Sequence, residues 1–490
     1  MTGPGQVLLL SCYELGHQPL SLASPLASLA QDGFDPRAID TAVEAVPEEA
    51  IAGARLVAIS VPMHTAMRLA EGFARHVREV NPAAHVCLYG LYAWLNADYV
   101  FGAGLADSVI GGEAEEALVG LAQSLAARFG SGGASHGRGT LTPSATLRAS
   151  LPSPAAAGDG GHVPGVRYPH HVADPVVRRQ RLLQPRREGL PGLEHYAHLE
   201  RDDQALPAGY VEATHGCKHT CLHCPITPIY GGRFLAVPRD VVLADIGAQV
   251  EAGARHITFG DADFLNGPTH SLRIARDMHQ RWPQLTFDAT IKIEHIVRHA
   301  QLFPELRELG CVFVLSAMES LSNTVLAHLR KGHTAADVAR AFDILDHAGI
   351  PLRGSLVAFT PWTTLQDYVD VLHFVEGRGL VEHIDPVQYS IRLLVPPGSA
   401  LLTEPDVWEW LGELDAGSYS YQWRHADERM EALHEDVAAI VAAEGADVWR
   451  TFAEVKTAAH TAAGLAPEPV RLTAAANRGR PPRLTESWFC

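Results

Sequence analysis

The chain has 490 residues, 47% of them hydrophobic and 19% charged, an ordinary globular balance that excludes bulk disorder and rod-like folds. Its formal net charge of −17 argues against a wide nucleic-acid footprint, and no apolar run is long enough to span a membrane. The first residues lack the basic region of a secretory signal, so the expectation is a cytoplasmic protein of about three domains at ~150 residues each. The odd total of seven cysteines, with Cys217, Cys221 and Cys224 crowded together, is a metal-site pattern rather than a disulfide framework.

In chain order, Val7–Ser11, Arg55–Val61, His85–Gly90 and Asp107–Gly112 read as buried strands. Helices are expected at Leu20–Gln31, His64–Val80 and Glu113–Phe129. Continuous apolar strands separated by helices indicate a parallel sheet covered on both faces, a doubly wound α/β domain over 1–129. Residues 130–165, rich in Gly, Ser, Pro and Ala, read as a flexible insert, and 166–207 as a connecting segment with several arginines.

A second βα series begins near residue 208. Strands are expected at Tyr210–Thr214, His256–Phe259, Thr286–Ile291, Val312–Ser316, Ser355–Phe359 and Pro386–Leu394. Helices fall at 238–252, 268–281, 295–309, 334–348 and 364–377, with Gly253, Gly310 and Gly349 at three of their ends. The pattern gives a partial (βα)6 barrel over 208–397. A helical region follows over 398–477 (Pro405–Leu414, His425–Glu444, Val448–Ala463), then an extended tail, 478–490, ending in Cys490. Cys12, Cys87 and Cys311 sit in apolar runs and read as core thiols.

Cys217, Cys221 and Cys224 form C-x3-C-x2-C directly after the first strand of the second series. Thiolates on one short loop converge on a soft metal centre. A 4Fe–4S cluster held by three cysteines keeps one iron open; zinc would need His219 or His223 as a fourth ligand. The zinc reading makes the chain a stabilised binding module rather than an enzyme.

This motif at the head of a partial βα barrel resembles the radical SAM superfamily. The resemblance implies a 4Fe–4S cluster that binds and cleaves S-adenosylmethionine, a small-molecule substrate, and an electron donor such as flavodoxin or ferredoxin. It covers the whole 208–395 series. By the same resemblance Gly260, Asp261 and Asp263, after the second strand, support the methionine part of the cofactor. Glu319 and Ser320, after the fourth, face its ribose or methionine part, and Lys331 pairs with a cofactor carboxylate or lies at the surface. Lys292, Glu294, His295, Gln388, Tyr389 and Arg392 stand at strand ends, where a barrel mouth takes its substrate.

A doubly wound domain before such a barrel is similar to the cobalamin-binding type, which implies cobalamin and methyl or carbon transfer. The usual D-x-H-x-x-G motif is absent; His17 is the histidine after the first strand, and Gly111-Gly112 matches the glycine pair beside a corrin nucleotide tail. The stretches at 11–19 (SCYELGHQP), 216–234 (GCKHTCLHCPITPIYGGRF), 259–268 (FGDADFLNGP), 290–295 (TIKIEH) and 385–399 (DPVQYSIRLLVPPGS) resemble one narrow group, the CUAEP/CCAEP-tail radical SAM (seleno)proteins. Their tails carry Cys-Cys or Cys-selenocysteine, so the expectation is that a selenocysteine codon after Cys490 was read as a stop. A cobalamin-independent variant of this reading has the tail bind a thiophilic, arsenic- or selenium-like substrate.

Overall fold

The computed structural model describes residues 1, 3, 5–131, 162–443, 447–471 and 480–486. Most of the expected 130–165 insert, and residues 472–479 and 487–490 of the C-terminal stretch, Cys490 among them, lie outside the described residues. The chain divides into two compact units, Met1–Glu14 with Pro19–Pro191, and Leu15–Gln18 with the described residues from Gly192 onward.

The first unit is built on β1 (Val7–Ser11), β2 (Arg37–Asp40), β3 (Leu56–Ser60), β4 (His85–Tyr89), β5 (Ser108–Ile110) and β6 (Val166–Arg167). Their order is β2-β1-β3-β4-β5-β6, parallel except for the last pair. β1 and β3 are buried at every position, as strands covered on both faces must be. Leu22, Leu26 and Leu29 of helix Leu20–Gln31 and Leu118, Leu121 and Leu125 of helix Glu115–Ser131 pack on Val7, Leu9, Leu56 and Ala58. Burial pushes the Cys12 and Cys87 thiols up to about 12, inert core groups as expected. The short β2 carries no apolar run and so gives no strand signal in the sequence.

The second unit contains β7 (His198–Arg201), β8 (Gln204–Val211), β9 (Thr214–Gly216), β10 (Phe234–Ala236), β11 (His256–Phe259), β12 (Thr286–Thr290), β13 (Cys311–Glu319), β14 (Leu352–Leu356), β15 (Leu411–Asp415), β16 (Ser420–Trp423) and β17 (Arg483–Leu484). Its main sheet runs β14-β13-β12-β11-β8-β7-β17, with β8 and β11–β14 parallel. The crossover helices Arg239–Glu251, Pro268–Arg281 and Ala335–Ala348 lie where the apolar periodicity puts them. Thr334 and Asp337 close a reciprocal cap on the last of these. The result is a curled half-barrel.

Four expectations are corrected. Pro386–Leu394 is not a strand: Pro386–Tyr389 is a 3-10 turn, and the sixth position of the barrel is held by one parallel bridge, Phe359 to Arg392. Pro386 has no N–H to give a ladder, and the Gln388 side chain takes the Leu356 N–H instead. The fifth strand lies at Leu352–Leu356, earlier than the expected Ser355–Phe359. The single helix expected over 295–309 is broken into Ile293–Arg298 and Phe303–Glu308, because Pro304 restarts the turn. Pro405–Leu414 is a 3-10 turn leading into the hairpin β15–β16, where Gly412 lets the Gln422 carbonyl approach. The helices Glu428–Ala442 and Val448–Ala462 are present as expected. Among the described residues no helix is long and apolar enough to cross a membrane.

Candidate functional site

The site sits at the carboxyl ends of the half-barrel strands. The hairpin β9–β10 brackets the cysteine loop at both ends: Gly216 pairs with Phe234, and Cys217 N–H donates to the Arg233 carbonyl at 3.1 Å. Gly216 has φ of +76°, and a Cβ there would lie 2.3 Å from the Tyr230 ring, so only glycine fits the step into Cys217. Asn266 clips the same turn: its amide donates to the Gly216 carbonyl at 3.2 Å and its carbonyl accepts from Lys218 N–H at 3.2 Å. Further on, Leu222 N–H donates to the Leu329 carbonyl and Thr227 Oγ1 to the Cys221 carbonyl. The loop is thus pinned at each turn before any ligand is considered.

Cys221 is buried, while Cys217 and Cys224 are half-buried. Burial, with Asp263, Cys224 and Cys221 close by, pushes the Cys217 thiol up to about 12. The two histidines of the loop do not serve the cysteines. His219 turns toward Asp263, Glu294 and His295, and His223 Nε2 lies 3.1 Å from Glu319 Oε1. Among the described residues the three thiols do not come together within 4.8 Å of one another, nor do any two of them with a histidine or carboxylate. Tetrahedral zinc, at about 2.3 Å per Zn–S bond, holds its thiolates closer, roughly 3.8 Å apart.

Glu319 ends β13 with φ of +62°, a conformation that costs a non-glycine residue about 1–3 kcal/mol. The ladder to β14 shifts register between Ala317 and Glu319. This break in the strand presents the carboxylate to His223 and to Lys331 Nζ, 2.9 Å away. Burial alone raises the Glu319 carboxyl, but the Lys331 ammonium and the His223 bond outweigh it and hold the group well below the usual carboxylate range. Lys331 is buried and not a surface residue. Ser320 Oγ accepts from Ser322 N–H at 3.0 Å.

After β11, Gly260 packs on the Tyr210 ring, which a Cβ would strike at 1.9 Å from the hydroxyl. Asp261 is turned into the protein: its oxygens accept from Ala213 N–H at 2.8 Å and Thr214 Oγ1 at 2.6 Å, and burial pushes its carboxyl up to about 6. Asp263 lies against His295 and His219. Among the strand-end candidates, Lys292 and Glu294 form a pair beside the cysteine loop, and His295 is fully buried there. The rest are taken up elsewhere. Gln388 holds the end of β14, Tyr389 is buried against Phe452, and Arg392 pairs with Glu431 while stacking 3.7 Å over Trp423. Tyr389 and Arg392 of the sixth expected strand thus brace the helical region.

In the first unit the Gly111-Gly112 pair is crossed by its own chain: Val176 N–H donates to the Gly111 carbonyl, and a Cβ on Gly112 would lie 2.2 Å from the Val176 oxygen. His17, in the second unit, lies against Tyr210 with ring centroids 4.8 Å apart and the rings tilted by 33°.

Residues 211–375 match the family model described as the radical SAM superfamily. Among solved structures, the chain is similar to the radical S-adenosylmethionine methyltransferase TsrM from Kitasatospora setae. The TM-score is 0.58 at 16% identity, over 76% of this chain and 71% of that one. It is also similar to OxsB, described as a cobalamin-dependent S-adenosylmethionine radical enzyme. There the TM-score is 0.66 at 14% identity, over 89% of this chain but only 66% of that one. At such identities these likenesses speak for the fold. The family match sets aside the zinc-stabilised binding module. Residues 211–375 form a radical SAM superfamily domain, and the chain that carries it is an enzyme.

Proposed function

We propose that Cys217, Cys221 and Cys224 hold a 4Fe–4S cluster, that S-adenosylmethionine binds beside it, and that the enzyme transfers a methyl or carbon group to a small molecule. The observation that carries this reading is the loop itself: three thiols on one pinned turn, with both neighbouring histidines engaged elsewhere. When bound, the cluster supplies the electron that cleaves the cofactor, delivered by a flavodoxin- or ferredoxin-type donor. Glu319 and Ser320 face the cofactor, the carboxylate kept ionised by Lys331 and able to accept from hydroxyl or ammonium groups. Gly260 and Asp261 act by shape, since Asp261 fixes the backbone at Ala213 and Thr214 just before the cysteines.

The doubly wound unit is proposed as a cobalamin-binding-type domain over 1–129. Support comes from the strand order and from the description of OxsB. Glu14, in the loop after β1, caps helix Leu20–Gln31, and the glycine pair is occupied by Val176. No side chain in these two places is set to ligate cobalt.

Anaerobic reconstitution tests the assignment. About four irons per chain and cleavage of S-adenosylmethionine are expected, with both lost in Cys221→Ala. Retention of both in that variant overturns it. Corrin absorbance after expression with and without cobalamin reports on the first unit, and the identity of the cleavage product, 5′-deoxyadenosine or methylthioadenosine, reports the reaction type.

A further inference from the structure

Three side chains from three separate loops meet beside the cysteines. His219 comes from the cysteine loop, Asp263 follows β11, and His295 lies in the first turn of helix Ile293–Arg298. His219 Nε2 is 3.6 Å from Asp263 Oδ2 and 3.3 Å from His295 Nε2, and His295 Nδ1 is 2.5 Å from the same Asp263 oxygen. One ligand atom from each lies within 4.8 Å of the others.

Asp263 and His295 are buried to about the limit, at 1% and 0% exposed. Asp263 Oδ2 and His295 Nδ1 face each other as a buried acid–imidazole pair, and among the described residues neither atom has an aligned hydrogen-bond partner. Two imidazole nitrogens and a carboxylate oxygen converging on one point form a borderline N/O donor set, suited to a divalent first-row ion.

The surroundings fit the same reading. His219 Nδ1 faces Glu294 Oε2 at 3.5 Å, and Glu294 is itself held by Lys292 and Arg298. A carboxylate on Nδ1 places the ring proton there and leaves the Nε2 lone pair pointing at Asp263 and His295. This is the outer support that metal-bound histidines carry.

We propose that His219, Asp263 and His295 bind one divalent transition-metal ion of the zinc class, distinct from the metal held by the cysteines. With three protein ligands the ion keeps an open coordination position. Asp263 is then an ion ligand and not a direct holder of S-adenosylmethionine. The proposal uses no cysteine and stands apart from the cluster reading.

Zinc itself is the probe. Zinc binding is measured by chelator competition on the full chain, both with its cluster loaded and as the Cys217→Ser/Cys221→Ser/Cys224→Ser variant. One zinc per chain is expected in both, with zinc-edge absorption showing nitrogen and oxygen neighbours, imidazole scattering and no sulfur. His295→Gln and Asp263→Asn are each expected to weaken binding by about 100-fold or more at unchanged iron content. If those variants misfold, the absorption spectrum of the triple cysteine-to-serine variant decides alone. Absence of stoichiometric zinc from that chain, sulfur in the spectrum, or binding that survives both substitutions overturns the proposal. Failure of the cluster reading shows separately, as wild-type protein that takes up no iron.

Discussion

Lys331 Nζ lies 2.9 Å from Glu319 Oε1, and both side chains are almost wholly buried. Removing one partner of such a pair strands a charge in low dielectric, at about 3–5 kcal/mol. Lys331→Met is therefore expected to destabilise the barrel unit by about 3 kcal/mol, with His223 offering Glu319 partial relief. The double variant Lys331→Met/Glu319→Gln should recover much of that loss while still binding S-adenosylmethionine poorly. Denaturant unfolding followed by barrel tryptophans, together with cofactor titration, checks both halves.

Gly216→Ala should cut iron uptake several-fold. Its Cβ would meet Tyr230 at 2.3 Å and the Arg233 carbonyl at 2.7 Å, at a positive φ, one residue before Cys217. Strain of about 1–3 kcal/mol at that point shifts the first ligand more than it unfolds the chain. Iron per chain and circular dichroism, measured on the same sample, separate the two effects.

The first unit should lose stability as pH rises. Burial pushes the Glu14 carboxyl up to about 7 from an ordinary 4.5, although Ser21 and Leu20 N–H groups bond to it. The folded state therefore holds this proton more tightly than the unfolded chain does. The stabilisation is complete below pH 4.5 and is lost as pH climbs through 7. Because Glu14 keeps some solvent contact, the swing is about 1–2 kcal/mol. Glu14→Gln should flatten the melting profile between pH 5.5 and 8.5 (about three pH units of the linkage curve); equal slopes for the two proteins would refute the assignment.

Lys456 Nζ sits 2.6 Å from Glu376 Oε2, joining helix Val448–Ala462 to helix Leu365–Gly377 with both side chains buried. Lys456→Met should cost about 3 kcal/mol, concentrated in the C-terminal helices. Hydrogen exchange should speed up over Val448–Ala462 while iron per chain stays the same.

What was legible in the sequence depended on how local the cause was. His256–Phe259 and Val7–Ser11 declare themselves because a strand buried on both faces must be continuously apolar. Cys217, Cys221 and Cys224 declare themselves by spacing on one loop. Pro386–Leu394 misled because its apolar content serves packing while Pro386 forbids the ladder. Arg392 left two readings open, because a charged residue near a strand end can as well brace a neighbouring element as face a substrate; it stacks on Trp423. The meeting of His219, Asp263 and His295 had no local sign at all, since each belongs to a different βα loop and only the curvature of the sheet brings them together.

β17 pairs with β7 through Leu484–Leu199 and Arg483–Glu200, partners 283 residues apart in the latter case. During synthesis at about 5–20 residues per second, the edge of β7 is therefore exposed for roughly 15–60 s before its covering strand exists. An open strand edge is a template for pairing with other chains. The order of emergence from the ribosome thus gives this half-barrel an interval of aggregation risk that ends only when residues 483–484 emerge, and slow or stalled synthesis before residue 480 should show first as insoluble protein.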